Sequence, residues 1–426
     1  MKIKQRSEDF RVRELLREGV LGESGDWRVY RVVKRKLTSV EAAARLAERA
    51  GVPPGEVSMA GLKDRQGVTV QHMAVARGRD VTLREDDLRI ETVGFARDEL
   101  APEASEGNAF ELVVRGLERE ELDAVRANLP LVREQGVVNY FDDQRFGNVR
   151  HRQGWIALML MRGEHEAALK RLLAGPSPHD DRRNAAFKHA LGENWGDWRE
   201  CRDVAGRFGA HHSVFEHLKR SPEDFAGAFE HVATRLRLIH LYAFQSHLWN
   251  RVVSTWIGER CEPAVQVHAE TVEGPLVFPS GPLPGAGPEA TFRLPGPRLA
   301  DVSDPEQRAL YADALAALRM VPSDFEIQGV PGFQLKGEER RLQVVPRHLR
   351  IRPSEPDPMN RGLRLVKLRF ELPRGAYATL VVKRLLARDA NARYSRPSPA
   401  SSSHSESGRE LSPRPPREPR RGPPRR

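Results

Sequence analysis

The chain has 426 residues, 39% of them hydrophobic and 30% charged, with a formal net charge of +10. That length suits two domains with cores of their own, and no apolar run approaches the roughly 18–20 residues of a membrane span. The opening MKIKQRSEDF lacks the apolar centre of a signal peptide. The two cysteines, Cys201 and Cys261, form no Cys-x-x-Cys pair. A zinc knuckle and a disulfide framework are therefore both unsupported, and a reducing cytoplasm is the expected location. The basic balance invites a nucleic-acid partner. Yet residues 391–426 hold nine Arg against three Glu, so six of the ten charges lie there and only +4 remains for residues 1–390. Charge alone does not establish RNA binding.

In chain order, Phe10 and Val12 alternate with polar residues, as in a half-buried strand. Residues 27–33 read as a second strand, with Lys34 after it. Thr38-Ser-Val-Glu41 is a capping box that opens a helix, and Gly51 with Pro53-Pro54 closes it. The stretch Ala60–Gln71 then sets Asp64 between Lys63 and Arg65, with Gly61 and Gly67 on either side. Glycines permit a tight turn and close approach, and neighbouring cations favour an ionised carboxylate. Val68, Thr69 and Val70 begin a strand that continues through Ala76. Leu88–Val93 and Phe110–Val114 are further strands, and residues 118–135 form an amphipathic helix. Strands with few helices between them predict an α+β fold, a mostly antiparallel sheet with helices on one side.

Val138-Asn139-Tyr140-Phe141-Asp-Asp-Gln144-Arg145-Phe146-Gly147 groups aromatic rings with amides. Such a set either packs at the edge of a core or forms a base-binding platform, where rings stack on bases at roughly 1–3 kcal/mol each. Glu164–Leu173 is helical, Trp195 and Trp198 sit in a mixed segment, and Phe229–Ile257 is helix-rich. His211, His212 and His217 lack the spacing of a metalloprotease helix and read as surface or packing histidines. Gly285-Ala-Gly287-Pro-Glu-Ala290 mimics a dinucleotide fingerprint, but Pro282, Pro284 and Pro288 rule out its strand-turn-helix setting. Residues 363–372 alternate as a strand, and Pro373–Thr379 leads into an apolar helix ending at Leu386. Residues 391–426, rich in Ser, Pro and Arg, cannot build a core and read as a disordered basic tail.

The string Gly61-x-Lys63-Asp64, then Thr69-x-Gln71, resembles the signature of the TruD family of pseudouridine synthases. Gly67 stands where the family often has Ala. Asn139-Tyr-Phe141-x-x-Gln144-Arg145-Phe-Gly147 resembles a second family motif, with Asp142 in place of a common Gly. Gly107-Asn-Ala-Phe110 and Phe370-x-Leu-Pro-x-Gly-x-Tyr377-Ala-Thr379 match further segments. Lys383-Arg384 replace a common Arg-Glu. Gln245-Ser-x-x-Trp249-Asn250 is similar to a motif of the family's inserted domain, and it either grips RNA or packs a helix.

The resemblance implies a pseudouridine-synthase-like sheet made of residues 1–147 and 341–390, with an inserted α/β TRUD domain at 148–340 and the tail at 391–426. It implies isomerisation of uridine to pseudouridine, characteristically at uridine 13 of tRNA, with no cofactor, no metal and no membrane. A monomer is expected. Asp64 would be the catalytic carboxylate, as nucleophile or as base. Lys4, with Lys2 as the neighbouring alternative, would be its counter-ion. Phe141 would sit against the flipped uracil, Asn139 would hold the arrangement, and Gln144, Arg145 and Lys63 would contact substrate, with a structural ion pair the equal alternative for Arg145. A non-catalytic RNA-binding or RNA-chaperone protein on the same scaffold is the competing reading. A methyltransferase is disfavoured by the missing nucleotide-cofactor glycine loop.

Overall fold

The first 117 residues supply most of one large sheet. Its strands are β1 (Phe10–Leu16), β2 (Trp27–Arg35), β3 (Val57–Ser58), β4 (Val68–Ala76), β5 (Thr82–Arg84), β6 (Leu88–Ala96) and β7 (Ser105–Leu117). Later come β8 (Val137–Val138), β9 (Gln266–Thr271), β10 (Gly274–Pro279), β11 (Thr291–Arg293), β12 (Glu339–Arg341) and β13 (Gln343–Val344). The last strands are β14 (Arg347–Ile351), β15 (Glu355–Pro356), β16 (Arg364–Pro373) and β17 (Arg388–Asp389). The large sheet runs β14-β16-β7-β1-β4-β2-β6-β5, with β15 on β16 and β3 on β4. Among the described residues only β1 and β4 pair in parallel. The closing strand β16 lies against β7, so the chain returns to the sheet it began.

This computed structural model describes residues 1–149, 154–177, 180–262, 266–272, 274–287, 289–327, 329–330, 335 and 337–389, all within one unit, Met1–Ala390. The basic tail expected at 391–426 lies outside the described residues.

Three helices cover one face of the sheet. Helix α1 (Ser39–Ala50) starts at the expected capping box, where Thr38 Oγ1 accepts from the Glu41 amide at 3.1 Å and Glu41 Oε2 accepts from the Thr38 amide at 2.7 Å. Such caps contribute about 1 kcal/mol. It packs Ala42, Ala43 and Leu46 on Tyr30, Val32, Met73 and Ile90. Helices α2 (Arg119–Gln135) and α11 (Ala378–Leu386) pack Val125, Val381 and Leu385 on Phe10, Val12, Phe110 and Phe370. Cross-strand pairing puts Phe370, Phe110, Val12, Thr69 and Lys34 in a single row on this face.

Between α2 and β12 the chain is largely helical. It builds α3 (Ile156–Met161), α4 (His165–Ala174), α5 (Arg182–Glu193), α6 (Trp198–Phe208), α7 (His212–Arg220), α8 (Phe225–Ala228), α9 (Thr234–Arg260) and α10 (Pro305–Ala316). The mixed segment around Trp195 is therefore two-sided by helices, with Asp181 and Asp197 capping α5 and α6. Helix α9 is packed between two cores and leaves Arg251, Thr255 and Glu259 exposed along one line. Leu241, Phe244 and Leu248 face the helical core, whereas Trp249, Val252, Val253 and Ile257 face Tyr140, Phe146 and the β9–β10 hairpin. Cys201 and Cys261 are buried and unbonded to each other. Among the described residues no helix is long and apolar enough to cross a membrane.

Candidate active site

A cavity of about 480 Å³ opens at the middle of the sheet, where β1 and β4 meet. Asp64 lies on the turn that feeds β4. Its Oδ2 accepts from Lys4 Nζ, and its Oδ1 accepts from the Gln66 amide at 3.1 Å. The two side chains of this ion pair keep 18% and 22% of their surface exposed, enough to meet a ligand. Lys4 sits with φ at +66°, a conformation few non-glycine residues adopt, and its ammonium lies 4.2 Å from the centre of the Phe10 ring. Burial pushes the Asp64 carboxyl up, but the hydrogen bond and charge of Lys4, the Gln66 amide and Lys34 more than offset it, so it stays below its ordinary range. Lys2, the alternative, turns away to Asn360 Oδ1 at 2.7 Å.

The turn itself is fastened from behind. Lys34, fully buried on β2, donates to three carbonyl oxygens, those of Leu37 (2.9 Å), Lys63 (3.3 Å) and Asp64 (3.0 Å). Burial lowers its pKa to about 8, although the Asp64 charge pulls the other way. Gln71 Oε1 accepts from Ser39 Oγ at 2.7 Å, and Ser39 Oγ accepts from the Lys63 amide at 2.9 Å. The motif's Gln71 thus ties the turn to the start of α1. A Cβ on Gly67 would come within 2.5 Å of the Phe10 carbonyl oxygen, so β1 approaches the turn closely at that glycine. Gly61, the other bracketing glycine, faces open space.

Lys63, Gln144 and Arg145 also line the cavity. The Lys63 ammonium, however, bonds Glu14 Oε1 at 2.7 Å, and Glu14 Oε2 accepts from the His72 amide at 2.8 Å. Burial raises the Glu14 carboxyl, and His72 and Lys63 together bring it below its ordinary value. Arg145 makes no ion pair among the described residues, and its Nε is buried without a partner.

Phe141, expected against the uracil, and Asn139, expected to hold the arrangement, are 4% and 5% exposed and do not line the cavity. Arg340 holds both. Its Nε donates to the Asn139 carbonyl at 2.8 Å and its NH2 to Asn139 Oδ1 at 3.0 Å and the Gly375 carbonyl at 3.0 Å. Its guanidinium covers the Phe141 ring at 3.9 Å. Burial lowers the Arg340 pKa to about 10. Asn250 brackets the Phe141 backbone, accepting from its amide at 2.8 Å and donating to its carbonyl at 2.7 Å. In the Gln245–Asn250 motif, Asn250 thus serves to join α9 to the Asn139–Gly147 segment. Asp142 does not reach the cavity either; Lys383 Nζ takes it at 2.6 Å and Asp143 at 2.8 Å. Arg384 is buried, donating to Asn128 Oδ1 and the Pro279 carbonyl.

The rings that do line the cavity are Phe10, Phe110 and Tyr377, with Asn108 beside them and Ile239 of α9 on the wall. Asn108 Oδ1 is buried and unpartnered. The alternation of β7 carried this information: Asn108 lies opposite Glu14 and Phe110 opposite Val12, on the face that holds Asp64. The arrangement combines an ionised carboxylate, a paired ammonium, aromatic walls, an unpartnered amide oxygen and a guanidinium that lies over the Phe141 ring at 5.1 Å without an ion pair among the described residues. It suits a planar, polar-edged group carried on an anionic backbone.

A solved structure of a Methanosarcina mazei protein described as a putative tRNA pseudouridine synthase D (TruD) superposes with a TM-score of 0.66 at 22% identity. The match covers 90% of this chain and 93% of that one, which establishes the fold. The family model described as tRNA pseudouridine synthase D (TruD) matches residues 1–282 and 288–385, and the chain belongs to that family. A Leptospira interrogans relative named tRNA pseudouridine synthase D is 27% identical over 395 residues, 91% of this chain and 96% of its own. One from Methanococcus maripaludis, named probable tRNA pseudouridine synthase D 1, is 28% identical over 393 residues, 90% and 99% respectively.

Proposed function

We propose that the chain isomerises uridine to pseudouridine in tRNA, at uridine 13, with Asp64 as the catalytic carboxylate. The observation that carries this reading is the Lys4–Asp64 ion pair at the floor of a nucleoside-sized cavity. The reaction breaks the bond from uracil N1 to C1′, turns the base, and joins C5 to C1′. The proton lost from C5 balances the one gained at N1, so the product is an isomer and no electrons are exchanged. Asp64, held ionised by Lys4, either attacks C1′ and is displaced when C5 bonds there, or takes a proton from the sugar and returns it as C5 bonds to C1′. Phe110 and Tyr377 form the walls that replace the stacking lost when the base leaves its helix. Asn108 Oδ1 accepts a proton donor on the base edge, and Arg145 meets a phosphate. Lys63 acts through Glu14 to hold the turn. Phe141 and Asn139 brace this wall through Arg340 rather than touching the base. A tRNA-directed enzyme of this kind works in the cytoplasm, as a monomer in this reading.

The experiment is pseudouridine mapping on unmodified tRNA with wild type and Asp64→Asn in parallel. Product at uridine 13 from wild type alone, with tRNA binding retained in the variant, is the expected result. Product from the variant at the wild-type rate overturns the role of Asp64. No product from either, with tight binding, favours the RNA-binding alternative.

A further inference from the structure

The face of the large sheet turned away from the Asp64 cavity carries a charge pattern of its own. Cross-strand partners there run Arg350 on β14, Arg369 on β16, Glu111 on β7, Arg11 on β1, Val68 on β4 and Arg35 on β2. A second row begins with Arg347, Glu371, Ala109 and Arg13. It continues through Val70 and Val33 to Arg89 and Arg84. Each row holds four arginines against one glutamate. The two rows together carry more net positive charge, +6, than the +4 of residues 1–390 as a whole.

The glutamates are already matched. Glu111 pairs with Arg369, Glu371 lies 3.5 Å from Arg347, and Glu8 takes Arg35 at 3.3 Å. Arg11, Arg13, Arg84, Arg89 and Arg350 are exposed and make no ion pair among the described residues. Like charges directly opposite one another weaken a sheet, yet Arg350 faces Arg369 and Arg89 faces Arg84. Two adjoining hollows of about 520 and 550 Å³ share Arg11, Glu111, Arg350 and Arg369. The half-buried Val33, Val68, Val70 and Ala109 give the first an apolar floor. Guanidinium groups matched to phosphate over a floor that accepts sugar edges fit a nucleic-acid backbone.

We propose that this open face is a second RNA-contact surface, which holds the phosphodiester backbone of the substrate RNA at a distance from the uridine that enters the Asp64 cavity. The choice of RNA as occupant rests on the function proposed above. The strand spacing of about 4.8 Å and the roughly 6.8 Å between alternate residues set the arginines out as a grid, suited to several phosphates at once.

The test compares wild type with Arg11→Gln/Arg13→Gln/Arg350→Gln, binding full-length tRNA and a short hairpin carrying the target uridine over a range of salt. Expected for the triple variant are a tenfold or greater loss of affinity for tRNA, a salt slope shallower by about 2–3, and unchanged binding of the hairpin. Its turnover at saturating tRNA stays at the wild-type value. Arg84→Gln/Arg89→Gln, at the other end of the second row, provides an independent pair and is expected to weaken tRNA in the same way. Unchanged tRNA affinity and slope in both variants overturn the proposal, as does an equal loss for the hairpin. Because the readout is binding, the surface stands or falls separately from the chemistry. A wild type that makes no pseudouridine removes the proposed function, and the loss of tRNA affinity still reports on this face.

Discussion

Lys383 Nζ bridges Asp142 and Asp143, at 2.6 and 2.8 Å, from the far end of the chain. Asp142 and Lys383 are two of the positions at which the sequence departs from the family's pattern, and in the folded protein they are partners. A carboxylate where Gly is common would be buried alone without that ammonium, since the Asp142 side chain is only 3% exposed.

Removing one member of a buried pair leaves the other charge uncompensated, which typically costs 3–5 kcal/mol. Lys383→Met is therefore expected to destabilise the protein by about that much in denaturant unfolding. Adding Asp142→Gly to it should recover about 1–3 kcal/mol, the coupling expected of contacting residues. Additive losses in the double variant would show that the pair is not coupled.

The second prediction concerns pH. Lys4 is the main group that lowers the Asp64 pKa against the upward push of burial. The folded pKa is depressed, so the ionised form persists on the acid side to below the ordinary carboxylate range. The stability that the pair contributes is present above the unfolded pKa and is lost as pH falls through the folded one. In Lys4→Met burial acts unopposed by that ammonium. The acid limb of the rate profile is expected to move to higher pH, with kcat reduced and tRNA affinity nearly kept. An acid limb that stays in place would separate Lys4 from the ionisation of Asp64.

How much of this was legible beforehand depended on the physical signal. The strands Phe10–Leu16 and Arg364–Pro373 show period-two alternation because one face is buried and the other is wet. The proximity of Lys4 and Asp64 came from family resemblance, since no local pattern links residues 60 apart. That resemblance also set Phe141 against the base and Asn139 as a brace, and in the structure Arg340, some 200 residues later, covers the Phe141 ring and bonds Asn139. Asn108 and Phe110 read only as a strand entry, because their position on the active face depends on pairing with Glu14 and Val12. Helices α5 to α7 were obscured by short lengths and by aromatic residues that signal neither helix nor strand. The grip of Lys34 on three backbone carbonyls involves no side-chain partner at all, and nothing in a sequence marks it.

Lys34 gives the third prediction. Its three hydrogen bonds set the position of the Asp64 backbone, and a displacement of about 1 Å can cost roughly a hundredfold in rate. Lys34→Met is expected to lower kcat by about that factor while KM for tRNA changes little. Lys34→Arg, too bulky for the same fully buried site, should rescue poorly. A Met variant with wild-type kcat would show that Ser39 and Gln71 suffice to hold the turn.

The fourth prediction tests the turn from its outer side. Gly67 stands where relatives of this pattern often carry Ala, yet here a Cβ would lie 2.5 Å from the Phe10 carbonyl oxygen and 3.2 Å from the Phe10 ring. Backbone cannot yield as a flexible side chain does, so β1 or the turn must shift. Overpacking of this kind costs about 1–3 kcal/mol. The shift would also pull Phe10 from beneath the Lys4 ammonium and alter the approach of Lys4 to Asp64. Gly67→Ala is therefore expected to lower both the unfolding midpoint and kcat. Gly61→Ala, which meets nothing within 4 Å, should leave both close to wild type. Equal effects at the two glycines would mean that flexibility of the turn, rather than its contact with β1, governs the site.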